Sequence, residues 1–182
     1  MLFSDEFVCY LDMMMYDFSS RTWFKSLEPG LQALIKSAEE LINFHLGQEQ
    51  QFSDFSFLVF PMAKAYEGFL KMYLLELGLI TPETYRSRRF RIGRAINPDV
   101  RYDQRDEYWL FDDLVHKCGE VKARLFWDTW LECRNQVFHY FPNGFTTMSY
   151  QQATMKIRMI DQAISNAMAC LQVGRTGSSK TG

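Results

Sequence analysis

Arg134, Asn135 and His139 form a short stretch whose residue types and spacing suit covalent chemistry on a phosphate. An imidazole can take a proton from a hydroxyl or give one to a leaving oxygen. A guanidinium offers forked hydrogen bonds to the charged phosphorus centre that forms between those two events. The amide of Asn135 can donate or accept beside them. Together they suit transesterification of RNA: a 2′-OH attacks the adjacent phosphorus, the 5′-oxygen leaves, and the ends formed are a 2′,3′-cyclic phosphate and a 5′-OH. That reaction asks for no metal and no other cofactor. It does ask for both a base and an acid, and each chain brings one His here. Two copies meeting at a two-fold axis would bring two Arg/His sets to one cleft. The plain alternative for His139 is a helix-capping imidazole among Phe138, Tyr140 and Phe141; the company of Arg134 and Asn135 weighs against it.

A helix is needed to position these groups. Glu120 to about Tyr140 reads as one, with Val121, Leu125, Leu131 and Val137 inward and Pro142-Asn143-Gly144 as its stop. On an α-helix Asn135 and His139, at i and i+4, share a face; Arg134 and His139 are about 140° apart, and the long Arg side chain spans the difference. Pro142 leaves His139 in the last turn, where the negative end of the helix dipole favours positive charge. Helices also read over 31–46, 54–78, 106–118 and 149–173, with a short one opened by Thr81 as N-cap and Pro82 at N1. Residues 3–18 are amphipathic and read as a helix. Four principal helices with short joins predict an all-α fold, an antiparallel four-helix-type bundle with additional short helices and an Arg-rich loop. The expected plan is an N-terminal arm or helix over 1–25, the bundle over 26–173 and a disordered tail over 174–182.

Composition agrees with this plan. The chain has 182 residues, 47% of them apolar and 23% charged, which excludes a mostly disordered protein. Aromatics at 16% and ten Met suggest a partner-facing surface as well as a core. The net charge of -2 hides an asymmetry: residues 86–105 hold seven Arg against two Asp, while residues 1–85 carry a balance of -7. The four Cys (Cys9, Cys118, Cys133 and Cys170) form no C-x-x-C pair and read as reduced thiols of a cytoplasmic protein. The most apolar run, 55–80, is interrupted by Lys64, Glu67, Lys71 and Glu76, which argues against a membrane span.

Arg134-Asn135-x-x-x-His139 near the end of a bundle helix resembles the R-x4-H motif of the HEPN ribonucleases. The run Phe60 to Lys71, containing Glu67-Gly68-Phe69-Leu70-Lys71, is similar to the early HEPN helix in which a Glu supports the motif Arg. With Asp54-Phe55-Ser56 ahead of it, the pattern is most like the C-terminal HEPN domain of RNase LS-type toxins. The resemblance covers roughly residues 31–172. It implies a metal-independent endoribonuclease of toxin or phage-defence type, working as a homodimer and restrained by an antitoxin protein. Arg134 and His139 would be catalytic, with Asn135 and Glu67 in support. Some HEPN toxins carry His-x-Tyr with an adenylylated Tyr; here Tyr140 directly follows His139, one place early, so that control is not implied.

The basic residues Lys64, Arg86, Arg88, Arg89, Arg91 and Arg94 are candidates for contact with RNA. The Arg-rich run has three readings: a solvated loop, an RNA-backbone contact with Tyr85, Phe90 and Tyr102 as stacking rings, or the docking site of an acidic antitoxin. Glu67 reads equally as a bundle ion pair and as the group that orients Arg134. His45 and His116 lack polar company and read as structural or surface residues. Two further functions stay open. One is a helical module that binds RNA or a protein without cutting; the other is a regulator with a closed pocket for a small molecule.

Overall fold

Seven α-helices, two short 3-10 turns and one π turn occur among the described residues, and no strand does. The structure, a computed structural model, describes residues 15–46, 52–140, 142 and 147–177, with side chains to Met168. The predicted helix over 3–18 falls mostly outside these residues; its described end, 15–18, is not helical. Cys9 and the Asn143-Gly144 turn signal also lie outside them.

Helix α1 (Pro29–His45) places Pro at its first position and buries Ile35, Ala38, Ile42 and His45, a spacing of three and four that makes one face. Helix α2 (Ser56–Glu76) runs through Pro61 and is the central strut. It buries residues on nearly every side, from Leu58 and Met62 to Tyr66, Phe69, Tyr73 and Leu74. The stripe it leaves open holds Phe60, Lys64, Glu67 and Lys71, at i, i+4, i+7 and i+11. Asp54 fixes the start of α2 by accepting from Ser56 N (3.1 Å), Ser56 Oγ (2.7 Å) and Met148 N (3.0 Å). Gly78, at φ 71°, ends it: Leu79 N donates to Leu74 O and Gly78 N to Leu75 O, the paired bonds of a Schellman cap.

Short helices α3 (Pro82–Arg86) and α4 (Ile92–Ala95) lie in the Arg-rich region. Thr81 caps α3 as its sequence predicts, accepting from Thr84 N at 3.2 Å. Helix α5 (Phe111–Cys118) begins later than its predicted start at 106. Asp106 instead turns the chain, its carboxylate accepting from Tyr108 N and its carbonyl from Trp109 N, while Leu110 N reaches across to Ala95 O. Helix α6 (Glu120–Trp130) passes into a π turn (Leu131–Asn135), and α7 (Tyr150–Gly177) closes the bundle. Helix α7 extends past Gly174, and residues 178–182 of the predicted tail lie outside the described residues.

Side-chain contacts give the directions. His45 meets Phe57 at 5.3 Å between ring centroids, and Leu31 packs on Gly68, so α1 and α2 run antiparallel. Tyr73 meets Phe126 at 5.2 Å and Phe60 meets Phe138 at 5.5 Å, so the chain through α6 runs back along α2. Lys156 reaches Glu132 at 2.9 Å and Cys133 reaches Met159, which packs α7 against the π turn. The stretch ahead of α1 packs into the same core: Phe18 and Trp23 are buried, and Asp161 of α7 accepts from Trp23 Nε1 (3.2 Å) and pairs with Arg21 (2.9 Å). No helix among the described residues is long and apolar enough to cross a membrane.

Candidate functional site

The open stripe of α2 faces a groove of 640 Å³ lined by Leu31 and Leu34 of α1, Phe60, Lys64, Glu67 and Lys71 of α2, and Arg134 and Phe138 beyond α6. Its apolar wall is Leu31, Leu34 and the Phe60–Phe138 ring pair; its polar wall is two Lys, one Glu and one Arg. Arg134 Nε lies 3.3 Å from Glu67 Oε2, and both side chains are about one-third exposed, at 36% and 30%. The Arg134 guanidinium also sits over the Trp130 ring, 5.6 Å from its centroid, within cation–π range.

Trp130 is itself held from two further sides. Trp127 stacks on it at 5.5 Å between centroids and an interplanar angle of 18°. The backbone of Gly93 lies against its six-membered ring so closely that a methyl group there would overlap it. Its Nε1 is buried with no hydrogen-bond partner among the described residues. Thus α4, in the Arg-rich region, bears on the indole that carries Arg134.

The local backbone differs from the predicted one. The α-helical ladder ends at Trp130, and Arg134 and Asn135 stand on the π turn, whose closing bond is Gln136 N to Leu131 O at 2.9 Å. His139 follows in a bend and is exposed. It is therefore not in the last turn of an α-helix, and neither the i, i+4 face shared with Asn135 nor the dipole argument applies to it. Asn135 is partly buried and does not line the groove; nor does His139. The structure brings Arg134, Glu67 and Lys64 of the predicted set together and leaves Asn135 and His139 off the groove wall.

The other predicted basic residues lie elsewhere. Arg89, Arg91 and Arg94 line a separate 330 Å³ cavity with Thr84, Ser87, Phe90 and Tyr108, while Arg86 and Arg88 are exposed outside it. Arg94 is paired with Asp106 at 2.6 Å, and this contact and hydrogen bond hold the Asp106 carboxyl below its usual range. Arg101 pairs with Asp103, and Arg105 stacks on Trp109 at 3.9 Å. Tyr102, a predicted stacking ring, is exposed and lines neither cavity; Tyr85 is also outside them. Burial and a hydrogen bond to Glu28 push the Tyr85 phenol up to about 12.

Sequence reasoning missed Lys71 and Tyr108 as lining residues. Lys71 was legible at i+4 from Glu67 and i+7 from Lys64. Tyr108 had no signal, because the turn at Asp106 places it. His45 is structural, its Nδ1 2.8 Å from Leu41 O within a cluster of Phe44, Phe52, Phe55 and Phe57; His116 is exposed. Cys133 is buried and free, and burial pushes its thiol up to about 12. Among the described residues, no three His, Cys, Asp or Glu converge as a metal-holding group.

Comparison with family models, with curated proteins and with solved structures finds no match to the chain. Two ammonium groups and a guanidinium held by a carboxylate, beside an apolar wall, suit a ligand with phosphates and flat rings.

Proposed function

We propose that the chain is an endoribonuclease of the HEPN type, cleaving RNA without metal through a site composed by two copies of the chain. The observation that carries this reading is the Glu67–Arg134 pair on the wall of a groove that also holds Lys64 and Lys71. The carboxylate orients the guanidinium; the guanidinium stabilises the charged phosphorane; the lysines hold flanking phosphates. His139, exposed at the surface beyond the π turn, serves as base or acid. In one step the 2′-OH loses its proton to one imidazole while its oxygen attacks phosphorus. The 5′-oxygen leaves with a proton from the second imidazolium, supplied by the partner copy. The biological setting is a toxin or defence nuclease held in check by an antitoxin.

The test is incubation with single-stranded RNA in EDTA. Cutting is expected to persist, to leave 2′,3′-cyclic phosphate and 5′-OH ends, and to vanish in His139→Ala and Arg134→Ala. Cutting that survives His139→Ala overturns the mechanism. A second reading, a helical module that binds RNA or a protein without cutting, is favoured by one observation: His139 does not line the groove that Arg134 lines. It predicts RNA retention by the groove with no product ends at any protein concentration.

A further inference from the structure

We propose that the 330 Å³ cavity lined by Arg89, Arg91, Arg94, Phe90 and Tyr108 is a binding site for a single nucleotide unit, with its phosphate on the guanidinium groups and its base on Tyr108. The choice of a nucleotide over other phosphate esters rests on the ribonuclease reading; the cavity itself stands apart from the Arg134 groove and shares no residue with it.

Convergence is the first argument. Arginines of a solvated loop have no reason to face one concavity, yet three of the seven in 86–105 line this one, and Thr84 and Ser87 line it with them. Charge is the second. Arg94 is matched by Asp106, but neither Arg89 nor Arg91 has a carboxylate partner among the described residues, so the cavity keeps an excess of positive charge. A tetrahedral dianion matches that excess, and forked N–H groups suit its oxygens.

Preorganisation is the third. Arg94 is clamped at both ends of its fork, Nη1 by Asp106 (2.6 Å) and Nη2 by the Gln104 carbonyl (2.6 Å). Arg91 Nη1 donates to the Arg88 carbonyl. Groups already fixed lose less side-chain entropy when a ligand arrives. Fourth, the cavity has a ring wall. Phe90 is buried and meets Tyr108 edge-on, 6.3 Å between centroids, while Tyr108 keeps 47% of its surface exposed and open to stacking. The volume lies near the small end of ligand sites, about 300–1,000 Å³, which fits one nucleotide and not an oligomer.

The experiment is calorimetric titration of the full chain, at low salt, with 5′-AMP, adenosine, inorganic phosphate, and a short oligoribonucleotide bearing either a 5′-phosphate or a 5′-OH. AMP is expected to bind at least about tenfold tighter than adenosine. That binding is expected to fall by a similar factor in the double variant Arg89→Ala/Arg91→Ala, whose exposed side chains can be removed without unfolding. Tyr108→Ala is expected to narrow the gap between AMP and inorganic phosphate. A 5′-phosphorylated oligomer tighter than AMP assigns the unit to an RNA end; a weaker one assigns it to a free nucleotide. Equal binding of AMP and adenosine, or AMP binding unchanged in the double variant, overturns the proposal. Arg134→Ala separates the two sites: it removes cleavage and is expected to leave AMP binding intact. Failure of cleavage in the parent protein with AMP still bound would therefore sink the nuclease reading alone.

Discussion

Glu67 Oε2 meets Arg134 Nε at 3.3 Å across the wall of the groove, joining the middle of α2 to the π turn that follows α6. Both partners are about one-third exposed, so solvent screens the pair and its contribution to stability is about 0–1 kcal/mol. Orientation of the guanidinium is its larger consequence.

Glu67→Gln is expected to leave the melting temperature nearly unchanged while lowering RNA cleavage about 10–100-fold, the usual effect of removing a group that orients a functional one. Thermal melts and cleavage rates measured on one preparation check this. A large loss of stability with full activity would make Glu67 a bundle pair only.

Arg134→Lys keeps the charge but loses the fork and the planar face that lies over Trp130. Cleavage is expected to fall by about 100-fold or more, since a point charge cannot both meet Glu67 and bracket a phosphorane. Single-turnover rates with saturating RNA would separate this from weaker binding.

Gly93 and Gly68 should respond differently to a methyl group. At Gly93 it would meet the indole of Trp130, which Trp127 and Arg134 hold in place; Gly93→Ala is expected to cost about 1–3 kcal/mol and to disturb Arg134 with it. At Gly68 it would meet the tip of Leu31, which can turn aside, and helix propensity offsets about 1 kcal/mol; Gly68→Ala is expected to be near neutral. Chemical denaturation followed by Trp fluorescence reads both.

Asp161 is buried and accepts from Trp23 Nε1 while pairing with Arg21. Asp161→Ala is expected to destabilise by about 1–3 kcal/mol, because the indole N–H loses one of its two acceptors, keeping Ser165 Oγ at 2.9 Å. Asp161→Asn, which retains an oxygen acceptor, should cost less. Urea midpoints compare the two.

Stability should fall in alkali. Burial pushes the Cys133 thiol from its usual 9.0 up to about 12 and the Tyr66 phenol well above 10.0. Between those limits the unfolded chain has released protons that the folded chain retains, so unfolding is favoured as pH rises, by about 1.4 kcal/mol per pH unit for each such group. Melting temperatures across that range should drop, and Cys133→Ala should flatten the drop.

The helices were legible because their apolar spacing and stop signals are local: Thr81-Pro82 and Gly78 act within one turn of themselves. The groove's polar stripe was legible for the same reason, since Lys64 and Glu67 lie on one helix. The π turn was not, because nothing in the residue types of Leu131 to Asn135 separates a five-residue hydrogen-bond step from the usual four-residue one. Tyr108 joined Arg89 and Arg91 only through the turn at Asp106, a long-range arrangement without periodicity. Arg94's pairing with Asp106, twelve residues on, was likewise invisible to spacing.

The wide turn at Leu131 to Asn135 has one residue more than an ordinary helical turn would use. Deleting a single residue there would let the ladder close in its usual register and turn the positions within it by about 100°. Arg134 would then leave the carboxylate that holds it while most of the core stayed assembled. A chain built this way can lose its groove chemistry through an in-frame loss of three bases, without losing its fold.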